Sequence, residues 1–319
     1  MTTGAHGNRP TKNQRREEAR AKAKSLRESQ VKKDKTRKVL TQVGVVVGVL
    51  ALVAVIFGVI QGNLPKPGPR PANMASNGIV LTAELGTDGK PTGNIVAETN
   101  AALPEGAAPI PTTPKAGILN IVEYQDYMCP ICGNFDKNDS SVIESRVKSG
   151  AATFEIHPIA ILDPQSQGTN YSTRAANAAA CVANFSPNSF FTFNQLLYSN
   201  QPGEGSAGLS DEELANYATI AGASPAESIT NCISKQTFSA WVGEATALVT
   251  AKGAIMPNSD NVAFEGTPTV IVNGAQFKGK VDAQGNFFPA ELEAFLLEQA
   301  GKMVTNPSST PTPTPAPEK

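Results

Sequence analysis

Val122-Glu123-Tyr124-Gln125-Asp126-Tyr127-Met128-Cys129-Pro130-Ile131-Cys132 is the stretch on which the fold turns. The apolar run over 118–124 reads as a strand, and a helical pattern opens at Pro130 and runs to Lys148. Proline in the first helical turn forfeits no hydrogen bond, because N–H groups there have no intrahelical partner, and its fixed φ suits the start of a helix. The strand therefore delivers a C-x-x-C pair to a helix N-terminus. Free N–H donors and the positive end of the helix dipole favour a thiolate there. Cys129, the first cysteine, takes most of that benefit and is expected to be the nucleophile. Cys132, three positions on, is placed to attack a mixed disulfide formed at Cys129. Far behind this pair, Gly266-Thr267-Pro268-Thr269 runs straight into Val270-Ile271-Val272-Asn273-Gly274, a strand followed by a turn signal. A proline loop and a C-x-x-C at a helix start together predict thiol–disulfide chemistry.

The same cysteine spacing can be half of a zinc site, but tetrahedral zinc needs four ligands, usually including a second close pair. The other two cysteines, Cys181 and Cys232, stand far apart, and His157 is the single histidine outside the basic N-terminal arm. Neither a metal nor an organic cofactor is expected.

Charge is distributed unevenly. Of 27 basic residues, 13 fall within 1–39 against 4 acidic ones, so a chain of net charge −1 carries a strongly basic arm and an acidic body. Residues 40–60 then hold no charge at all, and 21 residues of helix span about 30 Å, the thickness of a bilayer's hydrocarbon. A cleaved signal peptide would have a shorter apolar region and a small-x-small cleavage site. Gln61-Gly62-Asn63-Leu64-Pro65 offers none. The expectation is a basic cytoplasmic arm (1–39) and an uncleaved transmembrane anchor (40–61), with lysine and arginine holding the N-terminus inside. The arm's charge could also serve nucleic acid, but beside an apolar span its topogenic role suffices, and no nucleic-acid partner is expected. The cysteines then lie in an oxidising compartment.

Residues 62–115 read as a proline-rich spacer (64–72), a β-hairpin and a linker. The hairpin would pair 79–81 with 94–96 about a turn at 86–93. Residues 304–319, rich in Ser, Thr and Pro, cannot build a core and read as a disordered tail. Within the body, strand 118–124 and helix Pro130–Lys148 are followed by strand 152–156. Residues 165–253 are helical throughout, with pieces at 173–183, 189–198 and 238–252. Two further starts, at Ser210 and Ser224, each place Glu three residues on, as a capping box does. Strand Thr269–Val272, a turn at Asn273-Gly274, strand 276–281 and helix 289–300 complete an α/β domain.

This order resembles the DsbA-like branch of the thioredoxin superfamily, in which a helical domain interrupts a thioredoxin fold. The resemblance spans 118–301 and rests on the 122–132 phrase and on Gly266-Thr267-Pro268-Thr269. It implies a thioredoxin-like domain over 116–303, preceded by one transmembrane helix and carrying a helical insertion at about 165–253. It also implies a cis Thr267–Pro268 bond facing Cys129 and Cys132, and reduced or unfolded exported proteins as substrates. A membrane quinone-linked protein would re-oxidise the site, and the bilayer would hold residues 40–61. Membrane-anchored actinobacterial members carry a second cysteine pair in the helical part, so Cys181 and Cys232 are expected to form a structural disulfide. A second redox relay is the alternative, although neither cysteine has an activating context. Glu123, six residues before Cys129, matches a buried acid of the family that assists proton transfer at the second cysteine; the alternative is a Glu facing solvent at a sheet edge. Asp126 is expected as a loop or helix-start acid, Tyr124 and Tyr127 as packing beside the site, and His157 as structural. One departure is the Pro130-Ile131 dipeptide, where strongly oxidising members commonly have Pro-His. Ile131 offers the thiolate no hydrogen bond and no charge. The expected activity is that of a monomeric extracytoplasmic protein-disulfide oxidase. A reductase or isomerase of the same fold, and a non-catalytic zinc-binding or adaptor module, are the competing readings.

Overall fold

β1 (Ile79–Leu85) and β2 (Pro91–Ala97) form an antiparallel hairpin, as do β5 (Thr269–Val272) and β6 (Ala275–Phe277), while β3 (Leu119–Gln125) and β4 (Ala152–Pro158) run parallel. The six strands make one sheet in the order β2-β1-β4-β3-β5-β6. α1 (Pro130–Lys148) is the crossover from β3 to β4. Between β4 and β5 lie α2 (Tyr171–Phe185), α3 (Phe190–Ser199), α4 (Asp211–Ile220), α5 (Ala226–Ser234) and α6 (Ser239–Thr250), and α7 (Pro289–Thr305) ends the domain. The computed structural model describes residues 22, 67–282 and 285–305. The expected anchor, nearly all of the basic arm and the tail from 306 lie outside the described residues. Among those described, no helix is long and apolar enough to cross a membrane.

β3 sits between β4 and β5, so both its edges are paired and both its faces are covered. Side chains alternate faces along a strand. Leu119 and Ile121 join the larger core, beneath α1, α2, α3 and α7, whereas Val122 and Tyr124 join a smaller one with Ile159, Met256, Val262 and Ile271. Glu123, next after Ile121 on its face, therefore points to the α1 side.

The hairpins differ from expectation in length. β1 and β2 extend into the expected turn, since Leu85 pairs with Pro91 and the reversal occupies 86–90, with the Gly86 N–H donating to the Lys90 carbonyl at 2.8 Å. At Asn273 and Gly274 both φ values are positive (48° and 92°), as a two-residue hairpin turn requires. β6 stops at Phe277, short of the expected 276–281. The Phe277 and Phe287 rings close over Gly279, where a Cβ would stand 2.4 Å from Phe277, and the chain leaves the sheet.

In the insertion, α2 is almost wholly buried, and its alanines (Ala175, Ala176, Ala178, Ala179, Ala180, Ala183) let neighbouring helices approach closely. Cys181 on α2 is disulfide-bonded to Cys232 on α5. Ser210 caps α4 in a full capping box with Glu213. The matching expectation at Ser224 fails: α5 begins one residue later, behind a cis Ser224–Pro225 bond, with Pro225 as N-cap and no side-chain cap. The spacer reading of 64–72 is also corrected from residue 67 onward. Arg70, buried, pairs with Glu244 of α6 at 2.9 Å and donates to Asn77, while the Ala72 N–H donates to Asn184. Near the end of the linker 101–115, the Thr112 hydroxyl donates to Glu155 of β4 at 2.9 Å.

Candidate active site

The end of β3 and the start of α1 are held by Asp126, which is fully buried. Its Oδ1 accepts from the Met128 N–H (2.8 Å) and the Ser172 hydroxyl (2.7 Å), and its Oδ2 from the N–H groups of Ile161 (2.8 Å) and Leu162 (3.0 Å). Its carbonyl accepts from the Cys129 N–H at 3.0 Å. Asp126 lies in the loop before α1, as read from the sequence, and from there it ties the site to α2 and to the segment after β4. Burial pushes its carboxyl up from its ordinary value, opposed by the donors it accepts from. Cys129 is the N-cap of α1, and Pro130 takes the first helical position. Behind α3, Gln201 donates through Nε2 to the carbonyls of Tyr127 (3.1 Å) and Cys129 (2.8 Å). Gly133 makes room for it, because a Cβ there would lie 2.1 Å from Gln201 Oε1.

Both site cysteines are free thiols, Cys129 6% exposed and Cys132 fully buried. The Cys129 thiol lies 3.3 Å from the Thr267 carbonyl, to which it donates, so the Thr267–Pro268 loop abuts Cys129. That peptide bond is cis, and Gly266 before it takes a φ of 152°. Ile131 is half-buried against the 285–287 segment, where the Gly285 carbonyl accepts from Asn134.

The two thiols are driven apart in acidity. A hydrogen bond from the Cys132 thiol is the largest influence on Cys129. The Thr267 side chain and the first-turn N–H groups of Cys132 and Ile131 add to it against burial, and Cys129 comes down to about 6. Burial pushes Cys132 well up, helped by its bond to Cys129 and by the nearby negative charges of Cys129 and Glu123.

Glu123 is 4% exposed, which removes the sheet-edge alternative. Burial lifts its carboxyl well above the usual range, reinforced by Asp136, Asp139 and Cys129. Burial alone lifts Asp136 to about 7 and Asp139 to about 6. Neither aspartate was singled out in the sequence, although their spacing from Cys132 on a helix was visible there. Gln201, and Asn194, which accepts from Gln125 (2.6 Å) and the Tyr127 hydroxyl (2.9 Å), left no sequence signal because the insertion supplies them. Tyr127 packs at the site against Tyr198. Tyr124 does not: it lies on the opposite face of the sheet, stacked on His157, whose Nε2 is 2.9 Å from Glu155. Cys181 and Cys232 stay within the insertion, on elements separate from α1. Among the described residues, no group of three or more His, Cys, Asp or Glu side chains is arranged to hold a metal ion.

A strand-delivered dithiol of split acidity, faced by a proline loop on a mixed sheet, places the chain in the structural class of thiol–disulfide oxidoreductases. The family model described as Thioredoxin matches residues 114–286, and the chain belongs to that family. Its helical insertion between β4 and β5 gives it the DsbA-like form of the fold. Among solved structures it is similar to the disulfide bond oxidoreductase DsbG of Mycobacterium tuberculosis in its reduced form. Identity there is 29%, covering 62% of this chain and 86% of that one, with a TM-score of 0.46. Oxidised DsbA of the same organism is 24% identical over 73% of this chain and 100% of that one, with a TM-score of 0.48. The serine/threonine-protein kinase PknE of Mycobacterium tuberculosis is 36% identical over 106 residues, 32% of this chain and 19% of that protein. The chain thus matches about a fifth of the length of that curated relative.

Proposed function

We propose that the protein is an extracytoplasmic protein-disulfide oxidase, acting through Cys129 and Cys132. The observation that carries this is the split between the two thiols at the start of α1. A thiol held near 6 is a good leaving group, and stabilising its thiolate stabilises the reduced enzyme, which makes the corresponding disulfide more oxidising. In the first step a substrate thiolate attacks Cys129 Sγ, the Cys129–Cys132 bond breaks, and Cys132 leaves with the electron pair and takes up a proton. A second substrate thiolate then attacks the substrate sulfur of the mixed disulfide, and Cys129 leaves as its thiolate. Thr267 and Pro268, beside Cys129, are positioned to meet the extended backbone of a bound substrate. Glu123 would serve the proton that Cys132 gains. Turnover then requires an electron acceptor, for which a membrane quinone-linked protein is the class implied by the family.

An extracytoplasmic location is supported by the uncharged run at 40–60 behind a basic arm, and by a Cys181–Cys232 disulfide of the kind that persists in oxidising compartments. We assign that pair a structural role. Protease added to cells stripped of their wall should digest the body and spare roughly the first 40 residues.

Cys129→Ser should abolish exchange, whereas Cys132→Ser should accumulate mixed disulfides through Cys129. Trapping through Cys132 would reverse the roles. A reduction potential near about −120 mV is expected for the full-length protein, and one near about −270 mV would make it a reductant.

A further inference from the structure

Cys132 must gain or lose a proton in every turnover, yet it is fully buried. Where that proton travels follows from α1. Cys132, Asp136 and Asp139 stand at i, i+4 and i+7, which puts all three on one helix face. Asp139 is 0% exposed and neither of its carboxylate oxygens has a hydrogen-bond partner, an arrangement that buried carboxyl groups rarely tolerate. Asp136, half-buried, lines a groove between α1 and α3 together with Gly133, Ser140, Tyr198 and Gln201. From the sheet side Glu123 enters the same neighbourhood: it feels the charges of Asp136, Asp139 and Cys129, and Cys132 in turn feels Glu123.

On α1 itself Lys137 lines the same groove as Asp136, yet burial alone accounts for the acidity of Asp136. α3 contributes Tyr198, which responds to Cys132, Glu123 and Asp136, and the turn before α1 contributes Tyr127. β4 offers Ala152, Phe154 and Ile156, because Glu155 and His157 alternate to the other face. α7 brings Glu293, already paired with Arg146 near the end of α1, and the buried Gln299, whose Nε2 has no partner. Among the described residues no cation contributes to the acidity of Glu123, Asp136 or Asp139. Nor do these carboxylates converge as metal ligands would. They are strung from a buried thiol towards a groove.

We propose that Asp139 and Asp136 extend Glu123 into a proton path along the buried face of α1, by which Cys132 exchanges its proton with solvent in the groove between α1 and α3. This rests on the dithiol reading given above and goes beyond it. When a Cys129-linked mixed disulfide is resolved, the Cys132 S–H gives its proton to the Glu123 carboxylate. The freed sulfur pair forms the Cys129–Cys132 bond, and the substrate sulfur leaves as a thiolate with the electrons of the broken S–S bond. Asp139 and Asp136 carry the proton onward and restore Glu123. In the oxidising direction the same path delivers a proton to departing Cys132. Asp136 and Asp139 touch no substrate; they act through Glu123.

The test mixes reduced full-length protein with a peptide disulfide, followed by acid quench and mass spectrometry. The first phase, formation of the Cys129-linked intermediate, depends on peptide concentration; the second, its resolution by Cys132, does not. In Asp139→Asn and Asp136→Asn the first phase should stay within twofold of wild type and the second should slow about tenfold or more. The wild-type second phase should rise and level off between about pH 6 and 7, as the two carboxyls ionise. In the variants that bend should vanish and the rate should climb on into alkali, following direct ionisation of Cys132. Asp139→Glu should restore part of the rate. A second phase unchanged in rate and pH profile in both variants would overturn the proposal while leaving the dithiol reading intact. Wild-type protein that forms no Cys129-linked intermediate would instead overturn the dithiol reading itself.

Discussion

Replacing Cys132 with alanine removes the contact that most favours the Cys129 thiolate, and its effect can be worked out from the site. Cys129 is drawn down to about 6 from the ordinary thiol range of about 8.5–9, so its thiolate is stabilised by roughly 3–4 kcal/mol. A hydrogen bond to a charged group contributes about 1.5–3 kcal/mol, or roughly 1–2 pH units here. Cys132→Ala should therefore move Cys129 to about 7–8. The Thr267 side chain and the N–H groups of Ile131 and Cys132 would supply what remains. At pH 7 wild type should hold about ten thiolates per thiol, and the alanine variant between about one and one-tenth. Cys132→Ser, which keeps a donor, should fall between. Rates of iodoacetamide alkylation against pH, checked by the ultraviolet absorbance of the thiolate, give the midpoints. The linkage has a definite sign. A depressed thiol stabilises the reduced folded protein above the unfolded thiol's value of about 8.5, and that stability is lost as pH falls through about 6. An alanine-variant midpoint still near 6 would show that the Cys132 bond is not the source. A wild-type midpoint at or above about 8 would refute the description of the site.

Three further outcomes follow from the packing. Changing both Cys181 and Cys232 to alanine should lower unfolding free energy by up to about 4 kcal/mol, from the chain entropy of the closed loop, yet leave exchange by the folded fraction largely intact. Lost turnover at unchanged stability would make the pair a relay. Asp126→Ala strands the donors of Met128, Ile161, Leu162 and Ser172 and should cost about 3–5 kcal/mol in urea unfolding; a loss under about 1 kcal/mol would mean they re-pair at once. Asp139→Asn should stabilise the protein by about 2–3 kcal/mol at pH 8 and by almost nothing at pH 4. A carboxyl raised from about 3.8 to about 6 binds its proton more tightly when folded, so the contribution of Asp139 to stability is greatest in acid and is lost as pH rises through about 6. Equal urea midpoints for variant and wild type at pH 8 would refute this.

What the sequence alone determined is whatever a few neighbouring residues settle among themselves. Pro130 behind Cys129 decided where α1 starts, because helix-start chemistry involves only the first turn, and the observed Pro130–Lys148 agrees to the residue. Asn273-Gly274 decided the β5–β6 reversal, because the left-handed backbone needed there belongs to those two residues. Ser210 with Glu213 decided the start of α4 in the same way. The identical pattern at Ser224 failed because Pro225 took the cap position, so even a local signal can lose to its neighbour. What water reaches is not local, and tertiary structure decided it. Glu123 could have faced solvent, and only β4 on one side with β5 on the other made it a buried acid. Asp126 became the knot of the site because Ile161, Leu162 and Ser172 arrive from beyond β4 with their donors. Gln201 reaches the Cys129 carbonyl from behind α3, and Asp139 lost its solvent to the packing around α1. Residue type tells which groups can ionise. The acidity each one has depends on which distant elements exclude water from it, and that is fixed only when the chain has closed around the site.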